Sequence, residues 1–400
     1  MPRTTKRPKV FQFTFFAAFG AGIPFMTVYY KHILVKGNGE VADYLIGALI
    51  FLYSSLGILA TPISGVLSDR FNIRSKILGL FSFPVAVGGF LTALPGISRM
   101  NYLSLEMRFL FVLGGVILIG LFMRPLMPII DSETLIVLHR EYGEALLYGR
   151  IRVFGSIGWI VSTVITGYVL YRAQMLFISF LLFGGLFLVL GLLALGGAEA
   201  TIEKKRIPWE HLRGDETFRT FMLFIFLNSL ALTSAFNFTG YFMDDIGVNY
   251  FIIGASFGLS AVPELPIMYF SERILKKLGS KKMIISGSVI ESVKLLIFIL
   301  IALHGKNWLF FPVQLLHGVA YSMQYCGMVN FTDSLAHPDM RTTYQSIFHL
   351  TWSFGAALGG LWASFIIKNL GSIWLIGLDS AVLLLCIPII LFIKSKYLQA

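Results

Sequence analysis

Long apolar runs, each about one bilayer thick, alternate with short polar stretches along the whole chain. They predict helices near 10–34, 43–68, 76–95, 108–134, 146–171 and 174–196, and again near 218–243, 251–272, 282–303, 307–332, 341–367 and 371–393. A run of roughly 20 apolar residues is what a helix needs to cross the hydrocarbon core. The polar stretch 198–217, with Glu199, Glu203, Lys204, Lys205, Arg206, Pro208 and Arg213 in and beside it, divides the pattern six and six. The expected organisation is a bundle over 1–197, a cytoplasmic linker over 198–217 and a second bundle over 218–400. The first run follows a basic stretch (Arg3, Lys6, Arg7, Lys9) and continues for a full span with no small-residue cleavage site. It is therefore expected to be kept as the first helix rather than removed as a signal peptide.

Composition agrees with an all-α membrane protein. Of 400 residues, 56% are hydrophobic and 13% charged, which is outside the range of soluble globular domains. The net charge of +11 raises the question of nucleic acid, but its distribution answers otherwise. The N-terminus, the C-terminus and every second loop carry 23 Lys and Arg, and the opposite loops carry 7. That asymmetry predicts both termini in the cytoplasm, by the excess of positive charge on the inner side. The two cysteines, Cys326 and Cys386, both lie in apolar runs, which excludes a disulfide framework and leaves buried free thiols.

One loop is more specific than the spans. Gly65-Val66-Leu67-Ser68-Asp69-Arg70-Phe71-Asn72-Ile73-Arg74-Ser75-Lys76 reads G-x-L-x-D-R-x-x-x-R-x-K. It resembles the loop between the second and third helices of the major facilitator superfamily, with Asn72 where that family usually has glycine. A fainter copy, Glu272 to Lys282, follows the eighth run as the Asp69 loop follows the second, with Lys276 in the acidic position. Repeats of this kind are expected where one bundle rocks against the other. The resemblance implies a major facilitator fold of 12 transmembrane helices in two pseudo-symmetric six-helix bundles. It also implies a cytoplasmic gate at Asp69, Arg70 and Arg74; the alternative is a surface cluster that only follows the inward bias of positive charge.

Around the fourth and fifth runs the resemblance narrows. Pro128-Ile129-Ile130-Asp131 precedes Tyr148-Gly149-Arg150-Ile151-Arg152-Val153-Phe154-Gly155-Ser156-Ile157-Gly158-Trp159. This run is similar to lactose permease and to phenylpropionate- and nucleoside-permease-like proton symporters. That similarity implies solute contacts at Asp131, Arg152 and Trp159. A carboxylate accepts hydrogen bonds and a guanidinium donates in a fixed fork, so the two can orient a polyol or a carboxylate. Arg152 and Trp159 are seven residues apart, two turns along one helical face. A plain interhelical ion pair between Asp131 and Arg152 is the rival reading. Arg124, in Arg124-Pro125-Leu126-Met127-Pro128, needs an acceptor, either an anionic solute or Asp131. The prolines are expected to kink that helix and free carbonyls.

The second half holds its own charges at membrane depth, each costing about 2.5–3.5 kcal/mol on insertion scales. Glu264 and Lys294 fall near the middles of the eighth and ninth runs, and Glu291 shares a face with Lys294. Glu264–Lys294–Glu291 is the expected proton-coupling network. An apolar setting favours a neutral carboxyl and a nearby ammonium favours the anion, so a partner that moves can load or release a proton. A static pair that only specifies helix packing is the other reading. His317 is a further candidate relay, as is His349, although a lone histidine in an apolar helix is more often a packing residue. Lactose permease has an acid one turn after its tenth-helix histidine, whereas His317 is followed by Gly318, Val319 and Ala320. Asp379, in the last run, has no evident partner in the sequence and is expected to be structural.

Nothing in the sequence points to an enzyme. There is no phosphate-binding G-x-x-x-x-G-K-[ST] and no His/Cys metal cluster, and no cofactor or metal is expected. The expected function is secondary transport of a small polar or anionic solute (a sugar, nucleoside or organic acid) by alternating access, with a proton as the coupling ion. The expected setting is the lipid bilayer of a bacterial inner membrane, with the protein acting as a monomer and binding no nucleic acid. Export, antiport or uncoupled facilitation on the same fold is the alternative. A receptor that no longer transports is a more distant one, because it gains little from embedded charges.

Overall fold

A computed structural model describes residues 6–35, 42–71, 74–97, 103–142, 148–195, 216–336 and 341–393. All the regular structure among them is helical. Lipid offers no partner for a backbone N–H or C=O, and helices satisfy these groups internally. The first half comprises α1 (Lys6–Tyr30), α2 (Ala42–Phe71), α3 (Arg74–Ala93), α4 (Leu105–Met123), α5 (Leu126–Tyr142), α6 (Tyr148–Ala173) and α7 (Phe177–Ala194). The second comprises α8 (Glu216–Asp245), α9 (Tyr250–Ser260), α10 (Glu264–Tyr269), α11 (Ser271–His304), α12 (Phe310–Val313), α13 (Leu315–Leu335), α14 (Arg341–Leu370), α15 (Ser372–Leu385) and α16 (Ile387–Phe392). Eleven stretches of the described residues are long and apolar enough to cross a membrane. The tenth expected span is α12 with α13; it buries His317, Gln324 and Thr332 and is correspondingly more polar.

Proline and glycine account for the interruptions. The fourth span breaks at Arg124–Pro125, between α4 and α5, as its prolines predict. The eighth breaks at Ala261–Pro263, between α9 and α10. The eighth and ninth spans are joined by a helical turn rather than a loop. Within α11, Gly279 takes φ 76° and ψ 157°, a conformation open to glycine, and the chain redirects there into the ninth span.

The chain packs as two compact units, one of Met1–Ile202 with Thr239–Gly258 and one of Glu203–Phe238 with Leu259–Ala400. In the first, phenylalanines of α1 and α7 interlock: Phe183 and Phe187 lie 4.8 Å apart, with Phe15 edge-on to Phe187 at 5.9 Å. In the second, Phe221 meets Phe331 at 4.6 Å in a core that also holds Phe224, Met328 and Phe348. Such contacts supply the dispersion energy that replaces hydrophobic driving force between helices in lipid.

Candidate functional site

In the first unit, α1 gathers the residues that the sequence singled out for solute. Gln12, Phe16 and Phe19 follow one another along one face of α1. The Gln12 Nε2 donates to Asp131 Oδ1 at 2.9 Å. The Arg152 guanidinium lies 4.0 Å from the centroid of the Phe16 ring. The Trp159 ring lies 5.5 Å from that of Phe19. Asp131, Arg152 and Trp159 are thus aligned turn by turn, and no ion pair joins Asp131 to Arg152. Gly155 makes this possible, since a Cβ there would stand 2.6 Å from Arg152 Nη1 and 2.7 Å from Phe16. Arg152 and Asp131 are both half-buried, whereas Trp159 is 7% exposed and its indole N–H donates to the carbonyl of Phe257 at 2.9 Å. In this conformation Trp159 is a packing residue with its hydrogen bond already used. Gln12 is fully buried and its Oε1 has no hydrogen-bond partner, so a spare acceptor lies beside Asp131. Arg124 is elsewhere, exposed at the break between α4 and α5 and 5.0 Å over the ring of Tyr53, not beside Asp131.

The same unit contains a polar cluster that the sequence analysis missed. At the end of α1 and in the turn after it, Lys31 Nζ lies 3.1 Å from Asp244 Oδ2 and 2.9 Å from Asp245 Oδ1, and His32 Nε2 lies 3.1 Å from Asp244 Oδ2. The Tyr241 hydroxyl donates to Asp43 Oδ1 at 3.1 Å. Below these contacts α6 and α9 touch backbone to backbone. A Cβ on Gly167 would stand 3.0 Å from Gly254 Cα, a closeness that only small residues allow. The signal was present in the sequence: basic residues end the first span and acidic ones end the seventh, its counterpart in the repeat.

The second unit holds the buried charges. Glu291 and Lys294 on α11 are both 0% exposed, and Lys294 Nζ donates to Glu291 Oε1 at 2.6 Å. His317 of α13, 4% exposed, brings Nδ1 to 3.1 Å and 3.0 Å of the two Glu291 oxygens. The His317 ring lies near-parallel to those of Phe236, at 5.3 Å, and Tyr321, at 6.1 Å. This corrects the expected network in two ways. Glu264 is not part of it: Pro263 breaks the helix immediately before Glu264, which is half-buried at the head of α10 and bonded to neither Glu291 nor Lys294. His317 takes its place because α13, not α10, packs along the charged face of α11. The acid missing after His317 is therefore supplied by a different helix. Farther along α13, Gln324 Oε1 accepts from Asn228 Nδ2 at 2.9 Å, and both side chains are fully buried. Asp379 also has partners: it accepts from Ser234 Oγ and from Trp362 Nε1, each at 2.9 Å. His349 is exposed. The side chains of Asp69, Arg70 and Arg74 lie outside the described residues.

Comparison with known proteins agrees with this architecture. The model of the MFS_1 like family matches residues 6–376. The chain is 27% identical over 321 residues to the uncharacterized transporter YwbF of Bacillus subtilis, covering 78% of this chain and 74% of the relative. It is 22% identical over 379 residues to maltose permease of Geobacillus stearothermophilus, covering 92% and 88%. Among solved structures, that of the nucleoside transporter NupG superposes with a TM-score of 0.77 at 16% identity, covering 98% of this chain and 100% of that one. The chain is a multi-pass membrane transporter, not an enzyme, and belongs to the MFS_1-like family of the major facilitator superfamily.

Proposed function

We propose that this transporter carries a small polar solute together with a proton. The observation that supports coupling is the Glu291–Lys294–His317 cluster, three ionisable side chains at membrane depth with Glu291 held at 2.6 Å and 3.0 Å by its neighbours. Charged groups so placed are costly and usually mark ion pathways. Protonating Glu291 cancels its attraction for Lys294, so the cluster has two charge states with different internal contacts. A solute and a proton that both prefer one conformation then drive the change together.

For the solute, the Gln12–Asp131–Arg152 group offers acceptors and a donating fork on one face of α1, which suits hydroxyl-bearing rings. A sugar or a nucleoside is the substrate class in best accord with this chemistry and with the named relatives. Solute access alternates as the contacts of Lys31, His32 and Asp43 with Tyr241, Asp244 and Asp245 break and re-form. Segment 239–258 then parts from the first unit, so that residues 1–197 and 218–400 move as the two bundles, joined by 198–217. Asp69, Arg70 and Arg74 gate the opposite, cytoplasmic side, where both termini lie. The protein works as a monomer in a bacterial inner membrane.

Uptake of labelled maltose and uridine into proteoliposomes with an alkaline interior tests this reading. Accumulation that collapses when the pH gradient is dissipated supports symport. Uptake indifferent to the gradient removes the coupling and leaves a facilitator; accumulation only against an acid interior makes it an antiporter.

A further inference from the structure

Gln314 stands between α12 and α13, 1% exposed, and neither its Oε1 nor its Nε2 has a hydrogen-bond partner. A buried amide left unmet is destabilising, and each such group in a folded protein calls for an explanation. The register of α11 against α13 supplies one. The two helices run antiparallel, with Glu291 facing His317. Three residues onward from Glu291 is Lys294, and three residues back from His317 is Gln314. Four more in each direction reaches Phe298 and Phe310, whose rings meet at 4.9 Å, so the register holds across the interval. Gln314 itself keeps helical φ −66° and ψ −17°, and its face is continuous with that of His317. Lys294 and Gln314 are therefore opposite one another. The Lys294 ammonium has three donors; one goes to Glu291 Oε1, and the group lies 5.0 Å over the Phe298 ring.

We infer that Gln314 is a positioning residue of this cluster, whose Oε1 takes up the Lys294 ammonium when Glu291 carries a proton. The inference rests on the reading of Glu291 as the proton-loaded group. The proton arrives from solvent and binds a Glu291 oxygen. Lys294 keeps all three of its hydrogens and turns one from Glu291 to Gln314, so the lysine stays solvated by protein in both states. An amide serves here because a second carboxylate would hold Lys294 permanently, while an apolar side chain would leave it without an acceptor once Glu291 is neutral.

Thermal unfolding of the purified full-length protein at neutral pH tests this without any solute. Glu291→Gln mimics the protonated cluster. Gln314→Leu is expected to leave the melting temperature of the wild type unchanged or slightly raised. In the Glu291→Gln background the same change should lower it by about 3–6 °C. That loss should vanish once Lys294→Met is added. An equal effect of Gln314→Leu in wild type and in Glu291→Gln overturns the inference. Should Glu291→Gln alone yield no folded protein, Glu291→Gln/Gln314→Glu moves the carboxylate to the proposed acceptor position. Recovery of folded protein supports the inference, and no recovery overturns it. Ion coupling is read separately, by flux, so loss of the symport reading and loss of this one are distinguishable.

Discussion

Lys294→Met, which replaces a buried ammonium by an uncharged thioether, should destabilise the protein strongly. Glu291 and Lys294 are 2.6 Å apart and both 0% exposed, so neither solvent nor salt screens the pair. Removing one partner strands the other charge, and in buried pairs that costs about 3–5 kcal/mol. His317 retains its contact with Glu291, which places the expected cost near the lower end. At roughly 2–4 °C per kcal/mol, the melting temperature should fall by about 6–12 °C. Adding Glu291→Gln removes the stranded charge, so the double variant should recover most of that loss, the non-additivity expected of residues in contact. Tryptophan fluorescence during heating, in one detergent at matched concentration, measures all three proteins. A Lys294→Met protein within about 2 °C of wild type, or a double variant no more stable than the single, would refute the reasoning that this pair is an intact buried charge pair.

Other outcomes follow from the same geometry. Gly254→Leu places a side chain against the backbone of Thr163 and Gly167, so the protein should fold but lose at least about 90% of its uptake as α6 and α9 are held apart, a loss of transition-state stabilisation above about 1.4 kcal/mol; labelling of a cysteine introduced beside Asp244 should rise in parallel, and unchanged labelling would contradict it. Asp244→Asn weakens a partly exposed cluster in which Lys31 is 18% exposed, so stability should change by no more than about 1 kcal/mol while the transport rate changes; a large fall in melting temperature would contradict that. Asp379→Leu leaves the Trp362 and Ser234 donors unmet and should cost about 1–3 kcal/mol for each group, whereas Asp379→Asn, which can still accept from Trp362, should cost less; equal losses in the two variants would show the hydrogen bonds to be unimportant.

Spans were legible because the bilayer imposes length and polarity on local sequence. The break at Arg124–Pro125 was legible too, since proline removes a backbone donor wherever it stands. The alignment of Asp131, Arg152 and Trp159 was only partly so: the seven-residue spacing put Arg152 and Trp159 on one face, but nothing local showed that Gln12 and Phe16 of α1 would meet Asp131 and Arg152. The pairing of His317 with Glu291 depends on the register between α11 and α13, which is set by contacts such as Phe298 with Phe310 and leaves no mark at either site. Depth alone suggests Glu264 for the network, but Pro263 beside it interrupts the helix there and sets Glu264 at the head of α10. Asp379 looked partnerless because both its donors, Trp362 and Ser234, are distant in sequence and ordinary in type.

The account turns on Glu291 as the group through which a proton gradient does work on the solute. Solute accumulation by wild type and Glu291→Gln proteoliposomes, with a one-unit pH gradient and no membrane potential, tests this most directly. For one proton per solute the wild type should concentrate solute about tenfold, since one pH unit is worth about 1.4 kcal/mol. Glu291→Gln should still equilibrate solute across the membrane and go no further. Accumulation by Glu291→Gln to the wild-type level would contradict the account.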